Sequence, residues 1–439
     1  MSEFLILPDN KHFILKNASV PQCLVENPPK GTHPTEDGLL SLDLEIKDTK
    51  IASIVNTNLA KGGKPIVDVD GSMVWPCFVD VHTHIDKGHI WPRQRNPDGT
   101  RPSALAATGE DRNKNWSPTD IHARMEFSLL SAYAHGTAAI RTHIDSTPPQ
   151  HLITWPVVKK MKDRWKGRIN IQAVCLEPLS GYTDSGIGIE LADMMVEYGG
   201  ILGAVLNIQN DTQRLLDFII GLAIERDLDL DFHVDEMGDP EARSFDEICK
   251  ALIRNDFPRR VNVGHCCSLA IRPCEDVSKA IDLAIAANLS VTSLPMCNLF
   301  LQGRTSGTTP RWRGVTLLHE LRAKGVLVAI ASDNTRDPFH AYGDLDGLEV
   351  FTQAVRIAQL DYPIDSWPMA ITSNPADIMG LSDLGRLKVG SLADLIIFRG
   401  RDYSEILSRP QQDRLVLRKG KPINTNPPDY RLLDNLLKQ

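Results

Sequence analysis

No apolar run in the 439 residues is long enough to cross a bilayer, so a membrane-embedded role is not expected. The start, Met1-Ser2-Glu3-Phe4-Leu5-Ile6, has neither a basic leader nor a long apolar segment, and no secretory signal is read there. Positive charge is also short. With 48 Lys and Arg against 56 Asp and Glu the net charge is −8, and the basic residues are scattered, so neither nucleic acid nor an anionic membrane surface is an expected partner. Cysteine numbers eight, with no Cys-x-x-Cys and with Cys266 beside Cys267, which argues against a disulfide framework and against a cysteine zinc site. Low-complexity tracts and solenoid repeats are absent. What is left is the composition of a globular, cytoplasmic protein, 42% apolar and 24% charged, long enough for one barrel and a smaller domain.

The histidines are the informative residues. Val79-Asp80-Val81-His82-Thr83-His84 follows the apolar run 73–78. A β-strand sends alternate side chains to one face, so His82 and His84 point the same way from a strand end. Two neutral imidazoles converging in this manner are half of a site for zinc or divalent iron. A strand can also carry two histidines for packing alone, so the weight rests on the rest of the chain.

From residue 73 onward short apolar runs alternate with longer amphipathic stretches. The runs end near His82, His143, Glu177, Gln209, His233, His265, Leu294 and Asp333. Helices are predicted between them at 118–135, 150–165, 188–198, 212–226, 245–255, 274–287 and 317–324, and beyond them at 345–360 and 368–379. Eight parallel strands, each followed by a helix, make a (β/α)8 barrel, whose catalytic residues come from the carboxyl ends of different strands. Ionisable residues stand at those ends here. The first 70 or so residues read instead as short strands (13–18, 42–46, 51–55), and 385–398 reads as a turn, a Gly-Ser loop and a buried strand. The expected organisation is α/β: a small β-sandwich from 1–72 and 381–439, built from both chain ends, around a catalytic barrel at 73–380.

Six segments then resemble the amidohydrolase superfamily, and within it the cytosine deaminases. They are Phe78-Val79-Asp80-Val81-His82-Thr83-His84-Ile85-Asp86, Arg141-Thr142-His143-Ile144-Asp145, Phe232-His233-Val234-Asp235-Glu236, Gly264-His265, Leu301-Gln302-Gly303-Arg304 and Ser332-Asp333; the tail Gly390-Ser391-Leu392-Ala393-Asp394-Leu395 is a superfamily feature. The resemblance implies one divalent metal ion, Fe2+ or Zn2+, held by His82, His84, His233 and Asp333. It also implies a proton-shuttling Glu236 and a catalytic His265. Hydrolytic deamination of a planar, cytosine-like heterocycle (cytosine and water to uracil and ammonia) would follow, with Asp333 taking a proton from the attacking water. A desolvated pocket is expected to raise the pKa of Glu236. His143 is left open between a supporting role at the metal and one in the barrel floor, and a homo-oligomer is expected.

Two departures bear on the substrate. The glutamine near the end of strand 3 in cytosine deaminases is replaced by Leu176-Glu177-Pro178-Leu179. Asn334 and Phe339 stand where those enzymes carry a second acid and a tryptophan, and Asp-Asn is reminiscent of relatives acting on substituted aminotriazines. Glu177, Gln302, Asn334 and Phe339 are the expected substrate contacts, with Glu177 able only to accept hydrogen bonds. An N-substituted aminotriazine, isocytosine or creatinine is the alternative substrate. A two-metal cyclic amidase is disfavoured because strand 4 (201–209) has no lysine, and a catalytically silent scaffold because every matching position is filled.

Overall fold

The structure, a computed structural model, describes residues 4–57, 63–183, 186–208, 210–410 and 413–437. The apolar runs form one parallel sheet of eight strands, adjacent in chain order: β1 (Phe78–Thr83), β2 (Thr137–Asp145), β3 (Asn170–Pro178), β4 (Leu202–Val205), β5 (Leu230–Val234), β6 (Val261–His265), β7 (Ser290–Ser293) and β8 (Val328–Ile330). Thr83 bridges Asp333 in parallel, and Asp333 N donates to His82 O at 2.9 Å, so the last strand returns to the first and the sheet closes. Every residue of β1, β2, β5, β6, β7 and β8 is buried, which is why these strands read as unbroken apolar runs rather than alternating ones. The expected run end at Gln209 lies outside the described residues, as do Met1–Glu3.

The helices predicted between strands are present within about one residue at each end, from Pro118–Ala134 to Leu318–Ala323. Between the barrel strands, two others are present that the sequence pattern did not reveal: α1 (Arg101–Asn115) and a short helix, Pro295–Leu301. Among the described residues, no helix is long and apolar enough to cross a membrane. All eight cysteines are free, and six are buried.

Two four-stranded sheets come from the chain ends. One runs Lys50–Asn56, Leu39–Lys47, His12–Pro21, Ile66–Asp68; the other runs Lys421–Pro422, Leu415–Arg418, Leu395–Ile397, Val74–Pro76. Phe13, Leu15, Leu42, Leu44 and Ile46 of the first share one buried core with Val74, Leu395, Ile397 and Leu417 of the second, which makes a β-sandwich. The apolar run 73–78 is therefore two strands: Val74–Pro76 pairs with Leu395–Ile397, and the barrel begins at Phe78.

The chain divides into two compact units. One takes residues up to Asp80, Leu130–Ala139 and Asp346–Pro428; the other takes Val81–Leu129, Ile140–Leu345 and the chain from Asp429. The final segment, expected in the β-domain, instead packs within the second unit. Leu433 and Leu437 join Phe127 in one apolar cluster, Arg336 lies over the Tyr430 ring at 4.1 Å, and the Tyr430 hydroxyl donates to Asp344 at 3.0 Å.

Candidate active site

His82 ends β1 with Thr83, and His84 follows it, so both imidazoles leave the strand on one side. His233 of β5 meets them: its Nε2 is 3.1 Å from that of His82 and 3.2 Å from that of His84. Asp333, just beyond β8, brings Oδ1 to 3.2 Å from His84 Nε2 and 3.6 Å from His82 Nε2. Four of the six separations among these donors are 3.1–3.6 Å, the edge lengths of a tetrahedron round one ion with metal–ligand distances of about 2.0–2.2 Å, since a tetrahedron's edge is about 1.6 times its radius. Burial pushes the pKa of His82, His84 and His233 well below the ordinary value, so each is a neutral nitrogen donor. Both carboxylate oxygens of Asp333 are buried without a hydrogen-bond partner, an arrangement costly unless a cation is received there. The residues present therefore fit a single divalent metal ion.

Two of the residues at this end hold left-handed backbone. His265 has φ +73° and Asp333 φ +62°, a conformation that costs an L-residue roughly 1–2 kcal/mol. Asn298 donates through Nδ2 to His265 Nδ1 at 2.9 Å, which leaves the His265 proton on Nε2, buried and without a protein partner. Asp235, next to Glu236, takes no part: it accepts from Ser244 N and Phe245 N, each at 3.1 Å, and caps the helix Ser244–Arg254. His143 stacks on His82 with centroids 3.9 Å apart, and its Nε2 lies 3.3 Å from Asp231 Oδ1. It stands within reach of the same cluster of ligand atoms.

Glu236 differs from expectation. Burial does push its carboxyl up, but His265 and Arg101 together outweigh burial and hold it below the ordinary carboxylate value. Arg101 donates from Nε to Glu236 Oε2 at 2.6 Å, while Oε1 lies 3.7 Å from His265 Nδ1. The expectation of a raised pKa failed because burial is outweighed by His265 and by Arg101, which sits on α1, a helix the sequence pattern did not reveal.

A cavity of about 200 Å³ opens on this group. His84, His233, Glu236 and His265 form one part of its wall; Arg101, Leu105, Thr108, Gly109 and Arg112 of α1 form another; Lys87, Asp145, Asn334 and Phe339 also line it, with Thr147, Leu176, Pro178 and Val205. Of the expected substrate contacts, Asn334 and Phe339 are on the wall. Glu177 is not. Leu176 and Pro178 line the cavity and strand alternation turns the residue between them away, toward Gly181. Gln302 is also off this wall; its Nε2 donates to the Glu236 carbonyl at 3.2 Å. The residues not foreseen are Lys87, Arg101 and Arg112. Lys87 is the one with a sequence signal, since it directly follows the His-x-His strand. Its ammonium donates to Asp145 Oδ1 at 2.6 Å and lies over the Phe339 ring at 5.4 Å.

A family model described as "Amidohydrolase family" matches residues 201–423. The chain is 49% identical over 435 residues to a pterin deaminase of Rhizobium rhizogenes, covering 99% of each chain. It is 27% identical over 376 residues to an N-isopropylammelide isopropyl amidohydrolase of a Pseudomonas species, covering 82% of this chain and 88% of that one. Its fold is that of 5-methylcytosine deaminase from Klebsiella pneumoniae, with a TM-score of 0.79 at 22% identity over 94% of this chain and 97% of the other. The closed parallel barrel, the sandwich from both chain ends, the histidine–aspartate cluster and these matches agree: the chain belongs to the amidohydrolase family of carbon–nitrogen hydrolases.

Proposed function

We propose that the protein is a metal-dependent hydrolytic deaminase of a pterin-type ring, a fused bicycle whose pyrimidine half carries an amine between two ring nitrogens. Water adds at the amine-bearing carbon, the carbon–nitrogen bond to the amine breaks, and ammonia leaves as the carbon becomes a carbonyl. One observation carries the reading: the neutral imidazoles of His82, His84 and His233 and the Asp333 carboxylate gather beside a cavity whose wall presents His84, His233, Glu236 and His265. The 49% identical relative, a pterin deaminase, supplies the ring, whose pyrimidine half is an isocytosine.

His82, His84, His233 and Asp333 would hold one divalent ion, zinc or iron(II) by its donor set of three nitrogens and one oxygen. Such an ion supplies Lewis acidity and a water acidified from ~15.7 to about 7. Glu236, ionised at rest, takes a proton from the attacking water and returns it to the ring nitrogen beside the reacting carbon. His265 donates from Nε2 to the oxygen of the tetrahedral carbon, with its tautomer set by Asn298. Asp333 accepts the second proton of the water and passes it to the amine, which leaves as ammonia. Phe339 offers a ring face to the planar substrate, and Asn334 a polar edge. Gln302 acts on the substrate indirectly, by fixing the Glu236 backbone.

Ammonia release by the metal-loaded protein tests this against pterin, cytosine, isocytosine, an aminotriazine and creatinine. The kcat/KM for pterin is expected to exceed the others by about tenfold or more, the scale on which one good polar contact discriminates. Turnover of cytosine or the triazine without turnover of pterin would overturn the assignment.

A further inference from the structure

The cavity wall formed by α1 is longer than the chemistry needs. Arg101, Leu105, Thr108, Gly109 and Arg112 follow the spacing i, i+4, i+7, i+8, i+11, which is one face of a helix. The strip runs for about 16 Å along the axis. Arg101 stands at its reacting end, on Glu236. Arg112 stands three turns away, beside Asp145.

We propose that this strip recognises an acidic substituent carried by the substrate on the side away from the reacting amine, with Arg112 as the anchor. The proposal rests on the pterin-type reading above and extends it to the class of pterin. Two independent observations carry it. First, Arg112 has donors to spare. Its guanidinium has five N–H groups and, among the described residues, makes one hydrogen bond, to Asp145 Oδ2 at 3.3 Å. That is longer than the ~2.7–2.9 Å usual for a charge-assisted bond. Asp145 is held more closely by Lys87, at 2.6 Å. The Arg112 side chain is about a quarter exposed, at 24%, and lines the cavity, so its fork can meet a carboxylate in the two-point geometry that suits it. Second, Gly109 is a glycine in a helix interior, which costs about 1 kcal/mol relative to alanine. No packing reason accounts for it, since a Cβ there would meet nothing within 4 Å. Its bare backbone and the half-exposed Leu105 on the same face leave a smooth apolar floor between the two arginines.

The test compares unsubstituted pterin, neutral 6-hydroxymethylpterin and pterin-6-carboxylate on the metal-loaded full chain. In the wild-type protein the acid is expected to exceed the neutral alcohol in kcat/KM by about tenfold or more, mainly through KM, and the advantage should shrink as salt is added. Arg112→Gln is expected to bring that ratio near one, with Arg112→Lys restoring part of it. Gly109→Ala should raise the melting temperature yet raise KM for the two substituted substrates more than for pterin, which a purely structural glycine would not do. The wild-type comparison needs no variant to fold. Equal use of acid and alcohol, an acid preference unmoved by Arg112→Gln, or a Gly109→Ala variant with all three KM values unmoved would overturn the proposal while pterin turnover stands. Failure to turn over any of the three would instead remove the pterin reading itself.

Discussion

Glu236 concentrates the residue-scale question, because one carboxylate faces a cation on one side and an imidazole on the other. Replacing it by glutamine keeps the shape and removes the proton carrier. Glu236→Gln is expected to lower kcat by about 10²- to 10⁴-fold, with metal content by elemental analysis unchanged. Retained activity would move the proton work to another group. Arg101 gives a signed prediction. It helps to hold Glu236 below the ordinary carboxylate range. In Arg101→Gln the carboxyl must rise, so the acid limb of the kcat/KM profile should move to higher pH. A limb that stays in place, or moves down, would show that Glu236 does not set it. His82, His84, His233, Glu236, His265 and Asp333 stand at strand ends together with His143, Glu177 and Asp235, and it is the resemblance to the amidohydrolases that singles out the six. Arg101 and Arg112 could not be picked out, since an arginine on a polar helix looks like any solvated cation until its neighbours are known.

The elements differ in how plainly they announce themselves. The barrel strands are buried on both faces and form apolar runs that only a parallel sheet accommodates, so their positions were readable. Helix α1 was not. Its buried face is made of Ala104, Ala107, Thr108 and Asp111, and its one large apolar residue, Leu105, is half-exposed beside the cavity. A helix that packs through small residues and points its leucine at a ligand site leaves no hydrophobic period to find. The run 73–78 misled in a different way, because one apolar stretch serves two sheets. Strand β6 carries an element-scale prediction. A Cβ on Gly264 would stand 2.7 Å from the His82 ring, so the strand approaches the imidazole closely only because this position is bare. Gly264→Ala should shift His82 and lower bound metal well below one ion per chain, with a smaller effect on the unfolding midpoint. A full complement of metal in that variant would mean the ring has room to yield.

At the scale of the whole molecule, each of the two units carries its own buried ion pair, Asp346 with Arg414 in one and Asp231 with Arg141 in the other. In the unit that carries the sandwich, Asp346 is buried against Arg414, which donates to it at 2.7 Å. Burial pushes the Asp346 carboxyl up, but Arg414 and His135 overcome this and hold it at about 2, against 3.8 for an ordinary aspartate. A depressed folded-state pKa contributes stability above pH ~4 that is lost as pH falls toward 2. Asp346→Asn should therefore destabilise by about 2 kcal/mol at pH 7 in denaturant unfolding, and the gap from wild type should close below pH ~3. A gap independent of pH would assign the loss to packing instead.

Periodicity, residue type and order along the chain determined the barrel, the sandwich drawn from both ends, and the placing of histidines and acids at the strand ends, among which the resemblance marked the candidate site. These depend on which face of a strand a side chain takes and where the strand stops, and both are local properties of the sequence. Tertiary structure alone decided the charge state of Glu236, the turning of Glu177 away from the cavity, and the arginine-bearing wall opposite the histidines. Each depends on distances between residues remote in the chain, and electrostatic energy changes with those distances more steeply than any sequence pattern records.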